Sequence, residues 1–154
     1  MELREFFSED AIKLDLVGTT KDDILRELIG LLKLDEKSEG MLFKMLKRRE
    51  NLGSTGIGQG IAIPHGKMSS LTRVHGLFAK LAQPIEFDSV DDQPVDLVFV
   101  LLAPDHAGAD HLKALARISR MLRNPAVVAK LRGTDSAEGL YAILTEPTAT
   151  ASAA

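Results

Sequence analysis

The amino-acid sequence predicts a single layered α/β domain, and three observations support that fold class. Residues 95–103, VDLVFVLLA, form a nearly continuous apolar run, which is typical of a central strand covered on both faces. Apolar residues recur at helical spacing in segments before and after this run. The chain has 154 residues, which is enough for one domain around one hydrophobic core. Helices combined with such strands favour a layered arrangement.

The first part of the chain is expected to form one strand and two helices. Residues 11–16, AIKLDL, alternate between apolar and polar side chains, which favours a strand. Thr20 with an acidic residue three positions later resembles a capping box, and leucines at helical spacing predict a helix over residues 21–32. A second helix is predicted over residues 38–50, and Gly53 ends it.

Strands dominate the middle of the chain, and helices follow them. Short strands are predicted over residues 61–63 and 75–81, ahead of the central apolar run. Three helices are predicted after that run, at residues 109–123, 125–131 and 136–144. Residues 146–154, EPTATASAA, are small and polar, so we expect a disordered tail after a domain that spans residues 1–145.

Composition and charge exclude several classes of protein. The net charge is −3, so the whole surface does not favour nucleic acid or an anionic membrane as a partner. The chain has no cysteine, which excludes disulfides and thiolate metal sites. Its first residues lack the cationic start and apolar run of a secretory signal, and no stretch approaches the roughly 20 apolar residues that cross a bilayer. We therefore expect a cytoplasmic protein without a membrane span.

The segment from Gly53 to Lys67, GSTGIGQGIAIPHGK, is the most informative part of the sequence. Its glycines allow tight turns that expose backbone N–H groups, and the apolar residues 61–63 anchor it in a core. Pro64 keeps the exit extended, because the residue before a proline avoids the helical region. His65 is thereby presented at the edge of the core, with Gly66 leaving room beside its ring. The pattern indicates a histidine held out for chemistry with an anion.

Known phosphate-binding loops do not explain these glycines. The dinucleotide-binding fingerprint, read from Gly56, needs its third glycine at the position of Ile61. The P-loop motif, read back from Gly66 and Lys67, also needs a glycine at Ile61, and a methionine stands where Ser or Thr must follow the lysine. For the glycines alone, an ordinary loop is the simpler interpretation.

His65 has the residue chemistry of a nucleophile. An unperturbed histidine has a pKa of about 6.5, so its ring is mostly neutral at pH 7. If one ring nitrogen donates to a backbone carbonyl, the other keeps its lone pair for attack on phosphorus and forms a phosphohistidine. Phosphoryl transfer needs positioning and positive partial charge around the equatorial oxygens. Residue type alone leaves the alternative of a surface histidine in a turn.

Other side chains could assist His65. His111, at the start of the third predicted helix, can donate to a phosphoryl oxygen or lie exposed on that turn. Arg49, four residues before Gly53, could reach over the glycine loop, although cations near a helix C-terminus also complement its dipole. The hydroxyl of Ser54 lies near the expected pocket or caps the turn. No H-E-x-x-H pattern is present, so we expect no metal and no cofactor.

Two segments of the sequence resemble a known family. RRENLGSTGIGQGIAIPHGK and PIEFDSVDDQPVDLVFVLLAP are similar to the IIA domains of the bacterial phosphoenolpyruvate phosphotransferase system (PTS), fructose/mannitol type, or EIIA type 2. The motif GSTGIG-x-GIAIPHGK, with QPVDL before the apolar run, is most similar to the nitrogen-regulatory branch, enzyme IIA-Ntr. The resemblance covers residues 6–144. It implies one domain with a mixed, mainly five-stranded sheet flanked by helices on both faces.

The resemblance also implies a function. His65 of the PHGK motif would accept a phosphoryl group on Nε2 from the phosphohistidine of a small carrier, HPr or its nitrogen-branch relative NPr, which enzyme I charges from phosphoenolpyruvate. His111 would help to hold the phosphoryl group, and Arg49 would give electrostatic support. The residues expected to line the phosphoryl pocket are Ser54, Gln59 and Gly66.

Gln59 departs from the family pattern, since nitrogen-branch members have asparagine there and sugar-specific members often have an acid. A neutral amide still favours the nitrogen branch, because a carboxylate beside phosphoryl oxygens would alter the local field. We therefore expect a phosphocarrier, a component of the phosphotransferase system that signals to regulated target proteins by its phosphorylation state. Two alternatives stay open: a sugar-specific IIA subunit that passes the phosphoryl group to a separate IIB protein, and a module that binds an anion without covalent chemistry.

Overall fold

The computed structural model describes residues 2–146, and the predicted tail lies outside these residues except for Glu146. One mixed sheet of six strands occupies the centre of the described chain. The strands are β1 Ile12–Leu16, β2 Gly56–Gly58, β3 Ile61–Ala62, β4 His65–Lys67, β5 His75–Ile85 and β6 Val95–Ala103. Their spatial order is β1-β5-β6-β3-β2, and β4 also pairs with β6.

Strand β6 is the centre of this sheet. It runs antiparallel to β5 and parallel to both β3 and β4, while β1 joins β5 in parallel and β2 joins β3 antiparallel. β3 and β4 occupy successive stretches of one edge of β6, where Ile61 pairs with Leu97 and His65 pairs with Leu101. Pro64 lies between them and has no N–H to donate, but its carbonyl accepts from the N–H of Leu101 at 2.9 Å.

Five α-helices pack on the sheet within residues 2–146. They are α1 Lys21–Ile29, α2 Glu36–Leu52, α3 Ala109–Leu122, α4 Pro125–Arg132 and α5 Ala137–Leu144. All but α3 begin with a side chain that accepts a first-turn backbone N–H, as expected from the residue types at these positions: Thr20, Asp35, Asn124 and Ser136. No helix in this range is both long and apolar enough to cross a bilayer.

The apolar run of β6 explains why helices cover both faces of the sheet and form three layers with it. Successive side chains of a strand point to opposite faces. The odd-numbered residues from Leu97 to Ala103 join the cluster packed against α3, α4 and α5, and the even-numbered residues from Val98 to Leu102 join the cluster packed against α1 and α2. All of them are 0% exposed. Full burial of one such leucine contributes about 2 kcal/mol, so β6 anchors both layers.

The predicted helices and the four predicted strands are present, with shifted ends. The helix predicted over residues 21–32 is α1 followed by a 3-10 turn, Gly30–Leu32. β5 continues to Ile85 through Pro84, past its predicted end at residue 81. This is possible because β1 pairs with β5 only as far as Leu81, so no ladder hydrogen bond with β1 is needed at the proline. The sequence analysis missed β2 and β4, which are three residues each.

Candidate functional site

His65 lies at one end of the sheet, as the first residue of β4. Its Nδ1 is 2.8 Å from the carbonyl oxygen of Ile63, two residues earlier. A carbonyl oxygen can only accept, so Nδ1 carries the proton of the neutral ring and Nε2 carries the lone pair. The side chain is partly buried. The backbone thus selects the tautomer with an unprotonated Nε2, which the sequence analysis had only supposed.

Strand pairing sets the direction of the ring. His65 pairs with Leu101, so its side chain lies on the face covered by α3, whereas Gly66 pairs with Leu102 and lies on the face covered by α2. A Cβ on Gly66 would be 2.2 Å from Sδ of Met45 on α2. The predicted place of Gly66 in the phosphoryl pocket stays a prediction, and the contact observed at Gly66 is with α2. The missing side chain lets α2 approach the backbone from the other face.

A second histidine lies beside the first. The ring centroids of His65 and His111 are 6.1 Å apart, and the rings are tilted by 40°. His111 is only 6% exposed, and its Nε2 has no hydrogen-bond partner among the described residues. A buried polar group left unpaired costs about 1–3 kcal/mol, so a hydrogen-bond partner from outside the chain would stabilise this nitrogen.

Electrostatics favour an anion at this position. Burial lowers the pKa of His111, and electrostatic repulsion of its charged form by the neighbouring His65 and Lys67 lowers it further. The ring of His111 is therefore neutral at pH 7 and still has one N–H to donate. His111 is the third residue of α3, whose N-cap is Gly108 with φ 56° and no side-chain cap. The positive end of the helix dipole and its unpaired first-turn N–H groups thus adjoin the two imidazoles.

Arg49 approaches the site through the start of the glycine-rich segment. Its Nη1 donates to the carbonyl oxygen of Gly53 at 2.8 Å. The carbonyl of Thr55 accepts from the N–H of Ile63 at 3.0 Å, so the residues just before Thr55 lie on the side of Ile63 where His65 follows. Arg49 therefore fixes Gly53 and brings a cation to the end of the sheet that carries His65.

Ser54 is part of the turn itself. Its Oγ donates to the carbonyl oxygen of Phe87 at 2.6 Å and accepts from the N–H of Gly56 at 2.9 Å. The hydroxyl proton and one lone pair are therefore used within the chain. Of the two roles that the sequence analysis left open for Ser54, the structure shows the bond within the turn.

The backbone of Gln59 is hydrogen-bonded to two side chains outside its own hairpin. It lies at the tip of the β2–β3 hairpin with φ 58°, between two glycines that also have positive φ, Gly58 and Gly60. Its N–H donates to Oδ2 of Asp91 at 2.9 Å, and its carbonyl accepts from Nη2 of Arg132 at 2.7 Å. The backbone of Gln59 thus ties the hairpin to two other parts of the fold.

The hairpin tip is far from His65. Ile61 pairs with Leu97 and His65 pairs with Leu101, so these two positions are four residues apart along β6. At 3.3 Å per residue this is about 13 Å, and Gln59 lies two residues beyond Ile61. The strand register therefore places the backbone of Gln59 toward the opposite end of β6 from His65, and its role in the phosphoryl pocket stays a prediction.

The sequence analysis missed a buried ion pair that supports the site. Glu50, 6% exposed, accepts from Nζ of Lys21 at 2.9 Å and from the N–H of Thr55 at 3.1 Å, and it also binds the hydroxyl of Thr55. Nζ of Lys21 also lies 3.3 Å from a carboxylate oxygen of Asp88. The sequence contained one signal for this pair. A glutamate in the last turn of a helix is repelled by the negative end of the helix dipole, so its presence there indicates a compensating partner.

The arrangement has the parts needed for covalent attack on phosphorus. Nε2 of His65 has a lone pair, Nε2 of His111 has no partner within residues 2–146, and Lys67 is close enough to His111 to lower its pKa. No three His, Cys, Asp or Glu side chains within residues 2–146 converge as metal ligands would.

Comparison with known proteins gives the family. The family model described as "Phosphoenolpyruvate-dependent sugar phosphotransferase system, EIIA 2" matches residues 5–146. The chain belongs to the EIIA 2 family. Membership agrees with the PHGK motif at His65 and with the fold described above.

Of three EIIA 2 relatives, two are nitrogen regulatory proteins and one is a fructose-specific component. A nitrogen regulatory protein of Bradyrhizobium diazoefficiens is 47% identical over 98% of this chain and 99% of that protein. The crystal structure of nitrogen regulatory protein IIA-Ntr from Neisseria meningitidis matches with a TM-score of 0.85 and 35% identity, covering 92% of this chain and 97% of that chain. A fructose-specific EIIA component of Haloferax volcanii is 33% identical over 89% of this chain and 90% of that protein. The predicted resemblance and fold class are confirmed.

Proposed function

We propose that this EIIA 2 protein is a phosphocarrier of the nitrogen-related phosphotransferase system, which accepts a phosphoryl group on Nε2 of His65 and signals by its phosphorylation state. The observation that carries the proposal is the 2.8 Å hydrogen bond between Nδ1 of His65 and the carbonyl of Ile63. It leaves Nε2 unprotonated and therefore nucleophilic. The 47% identity to a nitrogen regulatory protein over nearly the full length of both chains supports the nitrogen branch.

The transfer exchanges one nitrogen–phosphorus bond for another. The lone pair on Nε2 of His65 forms a bond to the phosphorus of a phosphohistidine on the carrier, HPr or NPr. The old bond breaks and returns its electron pair to the carrier's ring, which leaves as a neutral imidazole if its other nitrogen is protonated. The Nδ1 proton of His65 stays in its hydrogen bond to Ile63, which stabilises the positive charge on the phosphorylated ring.

Several groups can share the charge of the phosphoryl oxygens. The N–H of His111 has no partner among the described residues, and the start of α3 has no side-chain cap. Lys67 is close enough to lower the pKa of His111. The guanidinium of Arg49 has five donors, and one of them is used by Gly53. Such preorganised donors are what phosphoryl transfer requires.

A regulatory output follows from the surface around the site. Leu112, which follows His111, is 65% exposed, and Leu52, which precedes Gly53, is 82% exposed. A partner that packs on these leucines would be repelled after phosphorylation, because the modification adds nearly two negative charges. The affinity of a target protein for the unmodified and the phosphorylated chain tests this output. Equal affinities would contradict it.

Intact mass measurement tests the carrier role. The full chain is incubated with phosphoenolpyruvate, enzyme I and the NPr or HPr carrier, beside the variants His65→Ala and His106→Ala. We expect one acid-labile phosphoryl group on the wild type and on His106→Ala, whose exposed histidine is the matched control, and none on His65→Ala. No labelling of the wild type by an active donor system would contradict the proposal and favour binding of an anion without covalent chemistry.

A sugar-specific role is the second candidate. The 33% identity to a fructose-specific EIIA component over most of both chains favours it. The phosphorylated chain is mixed with a separate fructose-type IIB protein, and the mass of each protein is followed. Rapid transfer to the IIB protein would favour the sugar-specific role, whereas retention on this chain is expected for the regulatory role.

A further inference from the structure

A second pocket lies beside strand β5, away from the strand of His65. It has a volume of about 260 Å³ and lies between the N-terminal segment, the 3-10 turn Gly30–Leu32 and the start of β5. His75 of β5 and Gly66 of β4 pair with the same residue of β6, Leu102, from opposite sides. The pocket is thus two strand spacings, about 10 Å, from the strand of His65. None of the residues that form the phosphoryl site lines it.

Two arginines, an imidazole and two carboxylates line this pocket. Arg4, Arg73 and His75 line it, against two acidic residues, Glu5 and Asp10. Within residues 2–146, Arg73 has no hydrogen bond or ion pair, and its side chain is exposed. Burial lowers the pKa of His75, and the nearby charge of Arg73 lowers it further. Arg73 is therefore close enough to His75 to act on its charge.

The remaining charges of the pocket are partly engaged. The carboxylate of Glu5 accepts from the N–H of Glu2 at 2.6 Å, in the N-terminal capping box. Arg4 donates from Nη2 to the carbonyl of Thr145 at a long 3.4 Å. Asp10 is the other carboxylate on the lining. Among the charged side chains of this pocket, Arg73 and Asp10 have no hydrogen bond or ion pair within residues 2–146.

We propose that this pocket binds a small organic anion, a carboxylate or a phosphate ester of metabolite size. Arg73 and His75 hold its charged head, and the apolar wall that includes Leu31 and Leu77 receives its carbon skeleton. A guanidinium matches either head group with two parallel hydrogen bonds. The volume is just below the range of about 300–1,000 Å³ for drug-sized ligands, which limits the ligand to a few carbons.

Titration of the full chain with three probes tests the proposal. Histidine ring resonances are followed by NMR as glycerol 3-phosphate, succinate or inorganic phosphate is added. We expect a saturable shift of the His75 resonances and a higher pKa of His75, because a bound anion favours the charged imidazole. Tighter binding of glycerol 3-phosphate would assign a phosphate ester, and tighter binding of succinate would assign a carboxylate.

Two arginine variants locate the site. Arg73→Gln should weaken binding of the preferred probe about tenfold, because a charged hydrogen bond to the anion is lost. Arg123→Gln removes an exposed arginine at the end of α3, outside the pocket, and should leave the affinity unchanged. Since Arg73 has no partner within residues 2–146, both variants should unfold at the same denaturant concentration as the wild type.

Three outcomes would overturn the proposal. One is no saturable shift of His75 at probe concentrations up to about 10 mM, the range of the weakest useful affinities. Another is an equal response of the wild type and Arg73→Gln. The third is a shift confined to His65 and His111, which would place the anion in the phosphoryl site. Labelling of His65 is measured separately, so this proposal and the phosphocarrier role can fail independently.

Discussion

The two ends of the segment that runs from β2 to β4 use their polar groups in opposite ways. At the hairpin end, Arg132 binds the carboxylate of Asp96 through Nε at 3.0 Å and Nη2 at 2.8 Å, and it also binds the carbonyl of Gln59. At the other end, one nitrogen of His65 is bonded to the backbone, and a buried nitrogen of His111 has no partner within residues 2–146. We call the hairpin end the closed end, because these polar groups are bonded within the chain. We call the end with His65 and His111 the open end, because Nε2 of His111 has no partner within residues 2–146.

Removing the buried carboxylate that supports the open end should have the largest effect on stability. Glu50→Ala leaves the Lys21 ammonium and the polar groups of Thr55 without their shared acceptor. Breaking a buried ion pair costs about 3–5 kcal/mol, so urea unfolding should show a loss of that size. Glu36→Ala, an exposed glutamate at the start of the same helix, should change the midpoint far less. Equal losses would show that the pair is not buried as described.

The open end should lose activity when its unpaired donor is removed. His111→Ala is expected to slow phosphorylation of His65 about 100-fold, the usual cost of one preorganised donor to a developing anion. His111→Gln keeps an N–H at this position and should recover part of the rate. The rate is measured as the time course of phosphoryl incorporation, and melting curves control for folding. Wild-type rates in both variants would show that His111 only packs beside His65.

Straining the hairpin turn at the closed end should lower the stability of the protein and leave the phosphorylation of His65 intact. A Cβ on Gly60, where φ is +82°, would lie 2.3 Å from Nη2 of Arg132 and 2.9 Å from Oδ1 of Asp96. Gly60→Ala should therefore cost about 1–2 kcal/mol, the penalty of a left-handed backbone for an L-residue, while His65 is still phosphorylated.

Gly30→Ala is the matched control for this turn. A Cβ there would have no neighbour within 4 Å, and φ is −58°. We expect unchanged or slightly higher stability, because alanine loses less backbone entropy than glycine. If Gly60→Ala abolished phosphorylation of His65, the two ends would be coupled and the comparison above would be wrong.

Acid should destabilise the protein slightly, through groups at the open end and in the second pocket. Burial lowers the pKa of both His111 and His75. The unfolded chain therefore binds protons near pH 6.5 that the folded chain does not, so stability falls as the pH decreases below that value. Urea midpoints at pH 7, 6 and 5 should decrease in this order, and His111→Gln should reduce the slope. A midpoint that rises toward pH 5 would contradict this sign.

Prediction from sequence succeeded where the pattern is long and periodic. The apolar run of β6 and the leucine spacing of α1 extend over enough residues to define a strand and a helix. β2 and β4 have only three residues each, with two glycines in β2 and one in β4, so they have no alternation to detect. Their hydrogen bonds depend on the neighbouring strands, which a local pattern does not contain.

The candidate site shows the same limit. His65 and Gln59 are six residues apart in one motif, and the family resemblance implied that both belong to one pocket. The hairpin turns the chain at Gln59, so β6 separates the two along its length. His111 is 46 residues after His65; its residue type allowed a role beside His65 or an exposed position, and the family resemblance favoured the first. The only local signal for the pairing of Glu50 with Lys21 was a glutamate at the C-terminal end of a helix, where basic residues are favoured.

The acceptor that fixes the tautomer of His65 belongs to the main chain. A side-chain acceptor could be lost through a single codon change, whereas residue 63 presents a carbonyl oxygen whatever its side chain is. Ile63 contributes packing, and its replacement by another apolar residue would alter the core without altering the acceptor. Substitutions at residue 63 therefore leave the acceptor that fixes the tautomer of His65 in place. A design that transfers this histidine to another protein must reproduce the backbone from Ile63 to His65, and it needs no particular partner side chain.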